Sequence, residues 1–250
     1  MISVRRDLRQ AIRSAVRNRA VSLLAILAFA LGIGVTTAVF SIFNSVLLAP
    51  LPFPDAQDLV LVYDTQPACA TCPASFPKYH DWKTRNQVFS AIGGATQASA
   101  VMTGLGDPEQ INGAATTASL EDVFKVQPRL GRWYTEVEDQ PGAGKVIVLA
   151  YKFWQRRFNR DPSVLGRRLI LDGEPYEVIG VMPETFTLRN VDFFVPLARK
   201  LDPATRGSHF LVTYARLKKG VSLERATTEM RALGRTLAAE FGHNHGIDVK

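Results

Sequence analysis

From Ala20 to Pro54 no side chain is charged, and Ala20–Ala49 runs 30 residues without a proline. Wound as a helix at roughly 1.5 Å per residue, that stretch is about 45 Å long. A bilayer's hydrocarbon core is about 30 Å thick, so the helix has length to spare. Apart from Ser22, its polar residues (Thr36, Thr37, Ser41, Asn44, Ser45) lie in the second half. The helix is therefore expected to enter the membrane near Ala20, to emerge after Phe40 and to end as a projecting stalk. A cleavable secretion signal has an apolar region of only roughly 7 to 15 residues and a small-residue cleavage site. Here the run is about twice as long, Leu47 stands two before Ala49, and Pro50 follows. The stretch reads as an anchor that stays.

Charge sets the orientation. Residues 1–19 carry six arginines (Arg5, Arg6, Arg9, Arg13, Arg17, Arg19) against Asp7, leaving 24 basic and 22 acidic side chains for the rest of a chain with formal charge +7. A basic tip on a near-neutral body argues against a nucleic-acid surface, which would also interleave aromatic and basic residues. Positive flanks stay on the cytoplasmic side, so the N-terminus is expected inside and residues after about 50 outside the cytoplasm. Val4, Leu8, Ala11, Ile12, Ala15 and Val16 fall at helical spacing between the arginines. That pattern fits an amphipathic helix on an anionic leaflet, and equally a positive flank that happens to be helical. Ala30, Gly34 and Ala38 form a small-xxx-small series, either a face for another helix or the small-residue content common in membrane helices.

Beyond the turn-rich Pro50, Pro52 and Pro54, the pattern predicts mixed helix and strand. Strands are expected at Leu59–Tyr63, 99–103, 111–117, Val146–Ala150, Phe193–Leu197 and His209–Leu217, with a hairpin turning at Asp172–Gly173. Helices are expected at 76–89, capped by Ser75, at 120–125, at 151–158 and at 222–241, stopped by Gly242. Gly93 and Gly94 read as a break, and "GIDVK" as the start of a strand. Tyr79, Trp82 and Val88, and the stripe Leu223, Ala226, Met230, Leu233, Leu237 and Phe241, are the candidate core contacts.

Signals for chemistry are sparse. "PGAGKV" lacks the first glycine of a phosphate loop and has Val146 where Ser or Thr is required. There is no GxSxG elbow, and the three "LGR" copies sit in unlike contexts. Glu136, Glu138 and Asp139 read as a wet acidic turn, and His243 and His245 as solvated. Cys69 and Cys72 in "PACATCP" admit a small disulfide loop, two free thiols or a redox pair; haem attachment fails because Pro73 stands where His is required. No catalytic, cofactor-binding or metal-binding residue is assigned. A membrane-anchored enzyme is the weakest of the function classes.

The opening stretch resembles the first transmembrane segment of MacB-type ABC transporter permeases, particularly the long bacterial permeases with duplicated modules. It carries "FALGIG" at Phe29–Gly34, the step Ala38–Ser41 and the exit Val46–Asp55. The similarity continues through P-x-Y-x-D-W at Pro77–Trp82, P-x-LGR-aromatic at Pro128–Trp133, WQRRF at Trp154–Phe158, Val164–Pro183 and Leu217–Leu223. The CATC loop has no counterpart in that pattern. The resemblance implies an α+β fold: one N-terminal transmembrane helix and a two-lobed extracytoplasmic domain, a βαβ porter-like lobe with an inserted β-rich lobe. It maps 1–19 to a cytoplasmic segment, 20–49 to the span and stalk, and 50–250 to the MacB-like periplasmic core domain. The porter-like lobe would take about 55–128 and 206–250, the inserted lobe about 129–205.

It implies a non-catalytic permease of the bacterial inner membrane that couples ATP hydrolysis to motion of the periplasmic domain for efflux or extraction of substrate. Expected partners are a separate ABC ATPase holding ATP and Mg, a second permease copy, a periplasmic adaptor and membrane lipid. The chain itself would hold no cofactor. Three later membrane helices of such permeases, the FtsX-like membrane domain, have no counterpart here, so a truncated form that does not transport alone is expected. The alternative is a single-pass anchored binding or sensory domain without transport.

Overall fold

The computed structural model describes residues 17–47, 53–67, 69–242 and 246–250. The amphipathic segment before Arg17, Pro50, Pro52, His243 and His245 lie outside the described residues. The chain divides into two units, Met1–Leu51 and Pro52–Lys250. In the first, a helix α1 (Arg19–Leu47) contains the stretch Arg19–Ser41, of mean hydropathy 2.4, long and apolar enough to cross a membrane. The Thr36 hydroxyl donates to the Gly32 carbonyl at 2.7 Å, which satisfies a polar group that lipid would not. Ala30, Gly34 and Ala38, four apart, share one exposed face.

The second unit is mixed α and β. Its strands are β1 (Leu59–Gln66), β2 (Cys69–Cys72), β3 (Phe89–Thr103), β4 (Glu109–Thr116), β5 (Leu130–Gly131), β6 (Val146–Leu149), β7 (Arg168–Leu171), β8 (Glu174–Val181), β9 (Phe193–Pro196), β10 (Val212–Leu217) and β11 (Gly246–Val249). Its α-helices are α2 (Phe76–Arg85), α3 (Leu120–Phe124), α4 (Tyr151–Phe158) and α5 (Leu223–Phe241).

One sheet runs β11-β1-β10-β3-β4-β9-β6-β8-β5, with β2 beside β1. Because β7 pairs with both β8 and β3, the strands β3, β4, β9, β6, β8 and β7 close a ring. Most neighbours are antiparallel; β4 with β9 and β6 with β8 are parallel. The 15-residue β3 serves both regions. Its first half, Phe89–Ala95, pairs with β10, and its second half pairs with β4 and then β7.

The hydrophobic cores follow this division. The first gathers Val60, Val62, Trp82, Ile92, Leu211, Met230 and Ile247 between the β11-β1-β10 sheet and helices α2 and α5. The third lies inside the ring, with Met102, Ile111, Ile147, Leu149, Leu169, Val178 and Phe193 facing one another. A small ring is filled by side chains rather than left as a pore. The second core joins them around Phe124, Trp133, Val148, Phe186 and Phe194. In β6, Ile147 and Leu149 face the ring while Val146 and Val148 face the second core, so every residue of that strand is buried. The β3–β4 hairpin, which the sequence reading placed wholly in the first lobe, contributes Ala100, Met102 and Ile111 to the ring.

Several local expectations meet a different outcome. Helix α2 begins at the Ser75 cap, whose hydroxyl accepts from the Lys78 amide, but it ends at Arg85 rather than near Phe89. Asn86 stops it: its side chain donates to the Trp82 carbonyl and accepts the Phe89 amide, turning the chain into β3. Gly93 and Gly94 are not a break; they sit inside β3. A Cβ on Gly93 would come 2.9 Å from the Leu120 backbone, and one on Gly94 2.6 Å from the Leu211 side chain. These glycines admit neighbours, a close approach that looks like a turn signal in sequence. The Asp172–Gly173 turn has positive φ at both residues (49° and 81°), as a two-residue hairpin loop requires.

Candidate functional site

Where the chain enters the second unit, three residues are clasped by the folded domain. Arg216 lies in β10, between β1 and β3, and is 2% exposed. Its Nε donates to the Val123 carbonyl at 2.7 Å, Nη1 to the Asp55 carbonyl at 2.9 Å and Nη2 to the Pro54 carbonyl at 2.9 Å. A planar guanidinium with a fixed fork of donors suits such a three-way hold, which a lysine could not make. Burial lowers the Arg216 pKa, opposed by the negative charges of Asp55 and Asp58.

The Asp55 carboxylate turns the other way and pairs with Lys125 at 3.1 Å, which with their hydrogen bond holds its pKa below the usual value. Asp55 and Lys125 both have left-handed backbone (φ 50° and 53°), so the pair joins two strained positions. Phe53 closes the clasp. Its ring packs on Phe124 and Phe186 at 4.9 and 6.0 Å, and Phe124 in turn on Tyr214.

A second set of buried charges lies beside β2. Lys78 of α2 pairs with Asp64 of β1 at 2.8 Å, with side chains 8% and 1% exposed. Gln66 donates to the same Asp64 oxygen at 3.1 Å. His209 lies between them: Nδ1 is 3.0 Å from the Pro73 carbonyl and Nε2 is 2.9 Å from the Gln66 amide nitrogen. A proton on Nδ1 satisfies both contacts. Cys69 and Cys72 are joined in a disulfide, and β2 sets Cys72 opposite Asp64 and Cys69 opposite Gln66. Nearby, Arg206 pairs with Asp81 at 2.6 Å and lies 3.4 Å over the Phe241 ring.

The two sets of residues marked on sequence fall in different units. Ala30, Gly34 and Ala38 belong to the helical unit, and the cysteine pair to the domain. The acidic turn is not uniformly wet. Glu138 takes two bonds from Arg132 and one from the Thr135 amide, which pull its pKa down to about 2. Glu136 pairs with Lys83 at 2.8 Å. Asp139 accepts the Ala118 and Ala198 amides, and burial raises its pKa. Among the described residues no three His, Cys, Asp or Glu side chains are grouped to hold a metal ion.

Arg216, Asp64 and Lys78 were not singled out on sequence. The available signal was weak: lone charged residues inside alternating apolar strands and beside a helix cap. The motifs marked earlier do structural work. In PKYHDW, the Tyr79 hydroxyl donates to the Ile92 carbonyl, Asp81 holds Arg206 and Trp82 fills the core. Trp133 donates its indole N–H to the Ala118 carbonyl, and Trp154 to that of Asp161.

The model of the MacB-like periplasmic core domain matches residues 22–233. No curated protein sequence matches. Among solved structures, the periplasmic region of MacB from Actinobacillus actinomycetemcomitans is similar, with TM-score 0.59 and 15% identity over 82% of this chain and 93% of that one. The extracellular domain of the noncanonic ABC-type transporter YknZ from Gram-positive bacteria gives TM-score 0.55 and 18% identity over 77% and 99%. At these identities the structural likeness is one of fold. The family match takes in most of α1 and of the β-rich domain, so the chain belongs to the family of the MacB-like periplasmic core domain, found in ABC-type transporter permeases.

Proposed function

We propose that this chain is the N-terminal part of the permease subunit of a MacB-type ABC transporter of the bacterial inner membrane. A separate ATPase hydrolyses ATP in the cytoplasm, and motion passed along α1 moves the periplasmic domain for export or extraction of substrate. The subunit works as a dimer with a second permease copy and meets a periplasmic adaptor at its outer end. The observation that carries the reading is the Arg216 clasp. It ties Pro54 and Asp55, at the start of the domain, to a central strand through two hydrogen bonds, with a third from the same guanidinium to Val123. A domain that is moved through its N-terminal segment needs that segment held firmly at its own end, since a slack hold there would absorb the displacement.

The test is hydrogen-exchange mass spectrometry on the complex purified from native membranes, with ATP and with ADP. A Walker-type ATPase should co-purify, and amides at 53–58 and 120–126 should change protection with nucleotide. In Arg216→Met the ATPase should still co-purify while the change is lost. An absent ATPase, or protection indifferent to nucleotide, would sink the proposal in favour of an anchored binding domain.

A further inference from the structure

Between α2 and two loops of the second unit lies a cavity of about 380 Å³, within the range of roughly 300–1,000 Å³ typical of small-molecule sites. Helix α2 supplies one wall from Phe76, Tyr79, His80 and Lys83, residues spaced i, i+3, i+4 and i+7 and so on a single face. The Phe76 and Tyr79 rings are stacked at 5.9 Å. The facing wall comes from 136–141 and Arg199–Leu201.

Asp139 holds that wall in place. Its two carboxylate oxygens accept the Ala118 and Ala198 amides at 3.0 and 2.8 Å. Ala198 is left-handed (φ 45°), a conformation alanine adopts only when its surroundings impose it, and it directs the chain into Arg199 and Lys200.

The charges at this cavity do not balance internally. Lys83 is matched by Glu136, and Asp139 is occupied by main-chain amides. Arg199 lies over the Phe210 ring at 4.9 Å. Among the described residues neither Arg199 nor Lys200 has a carboxylate within ion-pair distance. The cavity therefore offers an aromatic wall, the exposed Leu201 side chain (43%) and two cations with no acidic partner. A metal ion would find no unoccupied pair of carboxylates, and an organic cation would meet three positive side chains against two carboxylates that are both already engaged.

We propose that this cavity binds a small amphiphilic anion, its aromatic or short alkyl body lying along Phe76 and Tyr79 and its carboxylate or phosphate head against Arg199 and Lys200. Such a ligand would bridge α2 and the two facing loops. The inference does not depend on the transport reading, because binding needs only the folded domain.

The experiment is isothermal titration of the full chain in nanodiscs with three probes: N-acetyl-leucyl-phenylalanine, its C-terminal amide, and 1-naphthyl phosphate. At least one anion should bind once per chain and about tenfold or more tighter than the neutral amide, a difference of about 1.4 kcal/mol. The tighter of the two anions identifies the head group. Arg199→Gln with Lys200→Gln, both on the surface, should erase the preference for the anion without moving the unfolding midpoint. Phe76→Ala should weaken all three probes together. The proposal fails if neither anion saturates by about 1 mM, if the amide binds as well as the acids, or if the double variant retains the preference.

Discussion

Around β1, β10 and β11 the sheet is open, with β11 at its edge and α2 and α5 packed on one face; the ring of β3, β4, β9, β6, β8 and β7 instead closes on itself. The two regions bury different chemistry. Every buried charged side chain among the described residues, Asp64, Lys78 and Arg216, lies in the open region. The ring's core is hydrophobic, and its ion pairs, such as Arg156 with Glu109 and Asp192, stand on the surface. A closed sheet satisfies its own backbone and leaves room only for side chains that pack, whereas an open sheet has edges and attached loops that polar groups can tie down. Buried charge here marks where the β1–β10 region holds other pieces of chain: the incoming Phe53–Asp55 segment and the β2 strand.

The largest expected effect tests whether that charge acts as pairs. Lys78→Met should cost about 3–5 kcal/mol, because it removes the lysine partner of the buried Asp64 carboxylate. Adding Asp64→Asn should recover more than half of the loss. Urea unfolding of the full chain in detergent, followed by tryptophan fluorescence, reads this directly, since Trp82, Trp133 and Trp154 all lie in the β-rich domain. A double variant no better than the single one would mean that the pair contributes little beyond its packing.

Leu149→Ala, inside the ring, should cost about 3 kcal/mol through the cavity it leaves. Its sharper use is in comparing the regions. With only Trp82 or only Trp154 retained, the open region and the ring should unfold at one common midpoint, because β3 runs through both. Two separate midpoints would show that β3 does not couple them.

Opening the Cys69–Cys72 loop, by reduction or by the double serine variant, should cost about 2 kcal/mol or less, since the closed loop is short. Hydrogen exchange should rise in β2 and the facing end of β1 and stay unchanged in the ring. Protection lost in the ring would contradict the separation of the two regions.

The smallest effect is pH-dependent. Unfolded, Glu138 titrates near 4.5; folded, it is held at about 2. Its contribution is therefore complete above about pH 4.5 and is lost as the pH falls toward 2. With Arg132 54% exposed, solvent screening holds that contribution to about 1 kcal/mol or less. Glu138→Gln should flatten the acid limb of the stability profile between those pH values and leave pH 7 to 8 with only the constant offset. An unchanged acid limb would remove Glu138 from the account.

Much of this architecture was legible in the chain. The uncharged run, the Ser75 cap, the Asp172–Gly173 turn, the Gly242 stop and the stripe on α5, apart from Leu223, which is exposed, are local patterns, and local patterns report local geometry. The glycines of β3 misled for the same reason: in sequence, a residue that admits a close neighbour looks like one that permits a turn. Asp139 misled too. Its neighbours Glu136 and Val137 are exposed, and only the folded domain brings the Ala118 and Ala198 amides to its carboxylate.

By itself, then, the sequence determined a membrane-length helix, its family, and most of the helices and strands, because hydrophobic period and capping act over a few residues. The closure of the ring through β7, the clasp of Arg216 on Pro54 and Asp55, and the cavity beside α2 were decided only by the tertiary structure. Each joins segments tens to more than a hundred residues apart. The partner of a buried charge is set by which strands become neighbours, and no short-range pattern carries that information.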